Sequence, residues 1–137
     1  MRFLDRLEPL GLLVLRLTLG AIMIAHGYPK VFGGLHHHVE VVRGLGMPGW
    51  LGYASAAAEF GGGILLVLGF LTRVAAMFVC INMLVAVFAA EFKNGFLGQH
   101  NYQFPLALAA IAFSLIFTGG GPIAIDWLRG GKSVRQR

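Results

Sequence analysis

The sequence predicts an all-α integral membrane protein built as an up-down four-helix bundle, and three observations carry that prediction. Four apolar runs reach or approach the ~20 residues that cross a hydrocarbon core. Hydrophobic residues make up 57% of the 137 residues and charged residues only 12%, with a mean hydropathy of +0.74; soluble domains carry roughly 25% charged residues. The runs lack period-two alternation and exceed the ~9–11 residues of a membrane strand, so they read as helices and not as barrel staves. Short connections between four such helices give one up-down domain covering residues 1–137.

The first span is Leu10–Tyr28. Arg2 and Arg6 ahead of Leu10–Ala25 imitate a secretory signal, but Arg16 interrupts the apolar core and no small-x-small site follows, so the segment reads as a retained helix. Gly33–Pro48 breaks the pattern with glycines, three histidines, Glu40 and Arg43, and reads as a flexible loop. Trp50–Leu71 is the second span, opened by Trp50 and Tyr53 at interfacial depth. Thr72–Arg73 makes a tight link, which forces the third span, Val74–Ala90, to run antiparallel beside the second. Glu91–Asn101 is polar and aromatic, Tyr102–Thr118 is the fourth span, and Gly119–Pro122 stops it. Ile123–Leu128 is too short to cross and is expected at the interface, with Trp127 as anchor and Asp126 exposed.

Charge sets the expected orientation. With both ends on one side, that side holds Arg2, Arg6, Arg73, Arg129, Lys132, Arg135 and Arg137, against Lys30, Arg43 and Lys93 on the other. The positive-inside rule then makes a multi-pass inner-membrane protein with cytoplasmic N- and C-termini. The same dispersal speaks against nucleic acid as a partner despite the net charge of +5, because the basic residues form no single patch. One cysteine, Cys80, excludes an internal disulfide framework and a multi-thiolate metal site.

Arg16 and Glu59 are the candidate residues that matter most, because an unpaired charge in hydrocarbon costs several kcal/mol and needs a partner, a water pocket or a function. Measured from Tyr28 and Leu51, they lie roughly 18 and 12 Å below one membrane face at 1.5 Å per residue. A long arginine fork closes such an offset, so the two are expected to pair. Such a pair either sets helix register alone or forms part of a polar pocket for a quinone head group or an anionic ligand. Glu59 lies among the small-residue stripes Ala54–Ala58–Gly62 and Ser55–Glu59–Gly63, which turn its face toward a neighbouring helix. His26, Lys30, Glu91, His100, Asn101 and Gln103 fall near the same membrane face. They complete the expected ligand pocket or, on the plainer reading, snorkel to water.

Other polar residues carry less. His36, His37 and His38 with Glu40 have metal-ligand chemistry, but a loop without supporting contacts cannot fix a site, and no metal is expected. Cys80 reads as a small buried hydrophobe, Asn82 as a bond across helices, and Gly119–Gly120–Gly121 as a helix stop, since no Lys-Ser/Thr follows.

Several landmarks together resemble the DoxX family of small bacterial inner-membrane proteins. They are Arg16, His26-Gly27-Tyr28-Pro29-Lys30, Glu59-Phe60-Gly61-Gly62-Gly63, Gly69-Phe70-Leu71-Thr72-Arg73, Phe104-Pro105-Leu106, and Gly119-Gly120-Gly121-Pro122 leading to Asp126. The resemblance implies a four-helix membrane protein linked to redox metabolism; the family is named for a subunit of a thiosulfate:quinone oxidoreductase. It carries over no catalytic residue, and this chain has no cysteine pair, cofactor motif or soluble domain of its own. The expected function is therefore a quinone-interacting or redox-linked membrane subunit, working with a redox partner protein or as a homo-oligomer. If enzymatic, it is a subunit of a quinone-linked oxidoreductase. The alternatives are a non-catalytic scaffold for an oxidoreductase complex and a small oligomeric transporter.

Overall fold

The computed structural model describes residues 1–97 and 99–130. All regular structure among them is helical. A short helix α1 (Arg2–Asp5) precedes α2 (Glu8–Val31), followed by α3 (Leu35–Gly44), α4 (Trp50–Leu68), α5 (Thr72–Val85), α6 (Gln103–Thr118) and α7 (Ile125–Gly130). A π-helical segment, Ala86–Glu91, and a single 3₁₀ turn, Phe92–Asn94, prolong α5. Among the described residues, three helices are long and apolar enough to cross a membrane: Glu8–Val31, Trp50–Leu68 and Thr72–Ala89. Apolar α6, Gln103–Thr118, is shorter.

Helix α2 outruns the expected span at both ends. Pro9 occupies its first turn, where the missing N–H is harmless. Pro29 sits inside the helix and does not end it before Val31. Beyond Val31, Gly33 takes φ 133° and the Gly34 amide donates to the Pro29 carbonyl at 2.8 Å, turning the chain back.

The expected loop Gly33–Pro48 is instead largely the helix α3. Its apolar residues recur at helical spacing, and Val39 and Val42 are buried while Glu40 and Arg43 pair with each other in solvent. Gly52 at the start of α4 lets α3 approach, since a Cβ there would lie 2.9 Å from the Val39 Cα. That amphipathic stripe outweighs the glycines and the consecutive histidines.

The α4–α5 link is Gly69–Leu71, one turn earlier than expected, with Thr72 already helical. Gly69 (φ 69°) and Leu71 (φ 49°) both adopt the left-handed conformation. Glycine takes it freely. For leucine it costs roughly 1–2 kcal/mol and needs support from elsewhere.

Glycines fix the register between α2 and α4. A Cβ at Gly63 would lie 2.8 Å from the Gly20 carbonyl oxygen, and one at Gly27 would lie 2.5 Å from the Phe60 amide. The two helices therefore run antiparallel in backbone contact, the packing that small residues permit in lipid. Helix α5 packs on α4 and on α6, and α6 returns to α2. Between them Leu19, Met23, Leu66, Ala76, Val79, Ala112 and Leu115 are almost wholly buried.

Candidate functional site

Arg16 and Glu59 do not meet. The glycine register sets Gly27 against Phe60, so Glu59 lies level with the end of α2, whereas Arg16 lies eleven residues further back, roughly 16 Å along the axis. The expected pairing assumed that the two helices end flush. In the structure the first turns of α4 run past α2 and pack on α3, which lowers the point where α4 meets α2. Each charge finds its own partners, at opposite ends of the helices.

At one end, Glu59 is buried and accepts hydrogen bonds from Lys30 Nζ at 2.8 and 2.6 Å and from Asn82 Nδ2 at 3.1 Å. Three helices thus converge on one carboxylate: α2 supplies the ammonium, α4 the acid and α5 the amide. Helix α2 must persist through Pro29 for Lys30 to reach this point, and it does. The Lys30 side chain keeps 28% of its surface exposed against 6% for Glu59, so the pair opens outward through the lysine. Tyr28, Phe32 and Phe60 form a ring cluster, with centroids 4.9–6.3 Å apart, beside the α2–α4 seam.

His38 belongs to the same end, a placement the sequence reading missed by treating Gly33–Pro48 as a loop. Its Nε2 is buried without a hydrogen-bond partner. Burial, then the charge of Lys30, hold the imidazole below its usual range, with Glu59 pulling the other way and His37 adding slightly to the depression. The helical periodicity of α3 was the signal that could have found it.

The remaining candidates separate from this cluster. His26 lies on the surface with its ring 5.7 Å from Phe104 of α6. Glu91 and His100 are joined through Asn94, whose Nδ2 donates to the Glu91 carboxylate at 3.3 Å and to the His100 carbonyl at 2.9 Å. Asn101 Oδ1 accepts from the Gln103 amide at 3.0 Å, capping the start of α6. These residues build the α5–α6 turn. The expected single pocket of Arg16, Glu59, His26, Lys30, Glu91, His100 and Asn101 is replaced by smaller groups.

At the other end, Arg16 is 2% exposed and donates to the carbonyls of Gly120 at 2.6 Å and Ile123 at 2.8 Å. Its guanidinium staples α2 to the loop after α6. Gly69 and Gly120 make room, for a Cβ at Gly69 would lie 2.8 Å from Arg16 Nη1. Asp126, expected exposed, is half-buried and accepts from the Leu71 and Thr72 amides at 2.7 and 2.8 Å. It caps α5 from a distant segment and supports the left-handed Leu71. Burial pushes the Asp126 carboxyl up, but hydrogen bonding by Thr72 and Leu71 and the charge of Arg129 outweigh it and hold the group below its usual range.

An open cleft of about 670 Å³ lies beside this knot, lined by Glu8, Leu12, Arg73, Gly121 and Trp127 among others. Its chemistry is already engaged: Asp126 holds two amides, and Arg73 donates to the Ile116 carbonyl at 3.2 Å. The Lys30–Glu59 end retains a half-open cation and an imidazole whose buried Nε2 has no partner, so it is the better candidate site.

The landmark segments divide between the two ends. His26–Lys30 and Glu59–Gly63 build the first, while Arg16, Gly69–Arg73, Gly119–Pro122 and Asp126 build the second. Two family models match the chain, and each takes in landmarks of both ends. The DoxX family model matches residues 11–91, and the model described as TQO small subunit DoxD matches residues 54–136. The chain is 30% identical over 117 residues to "Putative oxidoreductase CatD" of Bacillus subtilis (strain 168), covering 85% of each chain. It is 31% identical over 129 residues to "Inner membrane protein YqjF" of Escherichia coli (strain K12), covering 91% of this chain and 96% of that one. No solved structure matches. With its sequence landmarks spread along the chain, relatives aligned over most of their length and a matching model over residues 11–91, the protein belongs to the DoxX family.

Proposed function

We propose that this DoxX-family membrane protein is a redox-linked subunit whose Lys30–Glu59–Asn82 cluster receives the head group of a quinone. The observation that carries the reading is a buried carboxylate drawn on by three helices, with one of its partners, the Lys30 ammonium, still open to the surroundings. A quinone head group presents two carbonyl oxygens on a flat apolar ring. Lys30 offers a cation to one oxygen, Glu59 offers a proton acceptor, and Tyr28, Phe32 and Phe60 offer aromatic faces beside them. An intramembrane ionisable pair is where such a site is expected.

In the membrane, α6 acts as the fourth crossing helix and closes an up-down bundle with α2, α4 and α5. The proposed orientation places Lys30 and Glu59 toward the outer face and both termini in the cytoplasm. Lys132, Arg135 and Arg137, part of the charge count behind it, lie outside the described residues. The name of one relative, an oxidoreductase, and of one matching family, a small subunit, favour a redox partner protein over independent catalysis.

The test is titration of the purified protein in lipid nanodiscs with a short-chain quinone. Wild type is expected to bind, and Glu59→Gln and Lys30→Gln to bind at least tenfold more weakly while remaining folded. Equal binding by all three removes the cluster from the function.

A further inference from the structure

Among the described residues at the Lys30–Glu59 end, His38 is the polar group that packing does not explain. Helix α3 is held to α4 by Val39 and Val42, which are 2% and 6% exposed, and by the close approach at Gly52. Anchoring α3 needs no imidazole. A buried polar atom left without a partner costs about 1–3 kcal/mol, and an apolar side chain in the same position would avoid that cost. His36 and His37, its neighbours, are exposed. Of the three histidines of α3, His38 alone has a buried ring nitrogen, Nε2, without a hydrogen-bond partner.

Three charged or titratable groups bear on this imidazole: Lys30 from α2, Glu59 from α4 and His37 from α3 itself. Two of them are the ion pair of the proposed site. A fourth polar group, from a fourth segment, thus joins Lys30, Glu59 and Asn82: the His38 amide donates to the Gly34 carbonyl at 2.9 Å, and a Cβ on Gly34 would lie 3.8 Å from the Lys30 Cα, which sets the start of α3 against the lysine. A neutral imidazole nitrogen can either donate an N–H or accept through its lone pair. That suits a ligand oxygen that alternates between carbonyl and hydroxyl.

We infer that His38 is a ligand-binding residue of the Lys30–Glu59 site, holding the head-group oxygen of a quinone or hydroquinone through Nε2. This rests on the quinone reading and deepens it, by making α3 part of the binding site. With a hydroquinone, the unprotonated Nε2 accepts the O–H. Protonation removes that lone pair and adds a second cation beside Lys30, so hydroquinone affinity falls as the solution is made acid. No electron transfer is assigned to His38.

The experiment measures the affinity of a short-chain hydroquinone for the nanodisc-embedded protein between pH 5 and pH 8, kept under reducing conditions. Wild type, His38→Gln, His38→Ala and Lys30→Gln are compared. Wild type is expected to weaken as pH falls. His38→Gln, which keeps a hydrogen-bonding group but does not titrate, should bind within a few-fold of wild type and lose the acid decline. His38→Ala should bind at least tenfold more weakly at pH 8. Binding that depends on Lys30 but is unchanged in both His38 variants, or an acid decline that persists in His38→Gln, overturns the inference and leaves the quinone reading intact. A wild type that binds no hydroquinone at any pH overturns both.

Discussion

Lys30 Nζ lies 2.6 Å from a Glu59 carboxylate oxygen, although the two residues are 29 positions apart and belong to different helices. The acid is nearly buried and the base is not. This asymmetry separates the pair from a closed structural ion pair, in which both charges are removed from solvent. Removing one partner from a fully buried pair costs roughly 3–5 kcal/mol, because the other charge is left stranded. Here Lys30 can turn outward, so Glu59→Met should cost less than that, and Lys30→Met should cost more than Glu59→Met. The double variant should be more stable than the sum of the single losses. Thermal unfolding in detergent of all four proteins checks the order; additive losses contradict the pairing.

Arg16 answers a different need. Its two charge-assisted bonds to Gly120 and Ile123 join residues more than 100 positions apart. Each bond of this kind contributes about 1.5–3 kcal/mol. Arg16→Met should therefore destabilise the fold by at least about 3 kcal/mol. Arg16→Lys keeps the charge but not the planar fork and should recover only part of the loss. Unfolding midpoints decide this, and quinone affinity per folded molecule should hardly change.

The α2–α4 contact gives a prediction about volume. A Cβ at Gly63 meets the backbone of α2 at 2.8 Å, whereas one at Gly61 meets nothing within 4 Å. Gly63→Ala must push two helices apart, at a cost of typically 1–3 kcal/mol for an overfilled contact. Gly61→Ala should be neutral or slightly stabilising, since alanine favours the helix. Similar stabilities for the two variants contradict the register.

Asp126 predicts a pH dependence at the other end. Its carboxyl titrates below its ordinary value of 3.8 in the folded protein, so its contribution is fully present above that value. It is lost as pH falls through the lower folded value. Asp126→Ala should cost about 1 kcal/mol near neutrality, the usual worth of a helix cap. In Asp126→Asn the loss of stability between about pH 4 and pH 2 should be shallower than in wild type. An unchanged acid slope would show that Asp126 does not cap α5.

Much of the fold could be read from residue patterns. The apolar runs located α2, α4, α5 and α6 to within a few residues, and the two small-residue stripes marked the side of α4 that faces neighbouring helices, α2 at Gly63 and α5 at Gly62. The partner of each buried charge could not be read that way. Pairing Arg16 with Glu59 followed from opposite sign and similar depth. Depth, however, depends on register, and register was set by contacts of Gly20, Gly27 and Gly63 with particular backbone atoms. Helix α3 was concealed because glycines and three histidines outweighed its alternation of buried valines and exposed charges. Asp126 was misjudged because its partners are backbone amides of a distant turn, and these leave no trace in side-chain composition.

Photoaffinity labelling with a quinone carrying a light-activated group on its ring tests the central claim most directly. Irradiated in nanodiscs and mapped by mass spectrometry, the protein should carry label on segments around Lys30, His38 and Glu59, and Glu59→Gln should abolish it. Label confined to the Arg73–Trp127 cleft, or spread over the lipid-facing surface and indifferent to Glu59, would contradict the assignment.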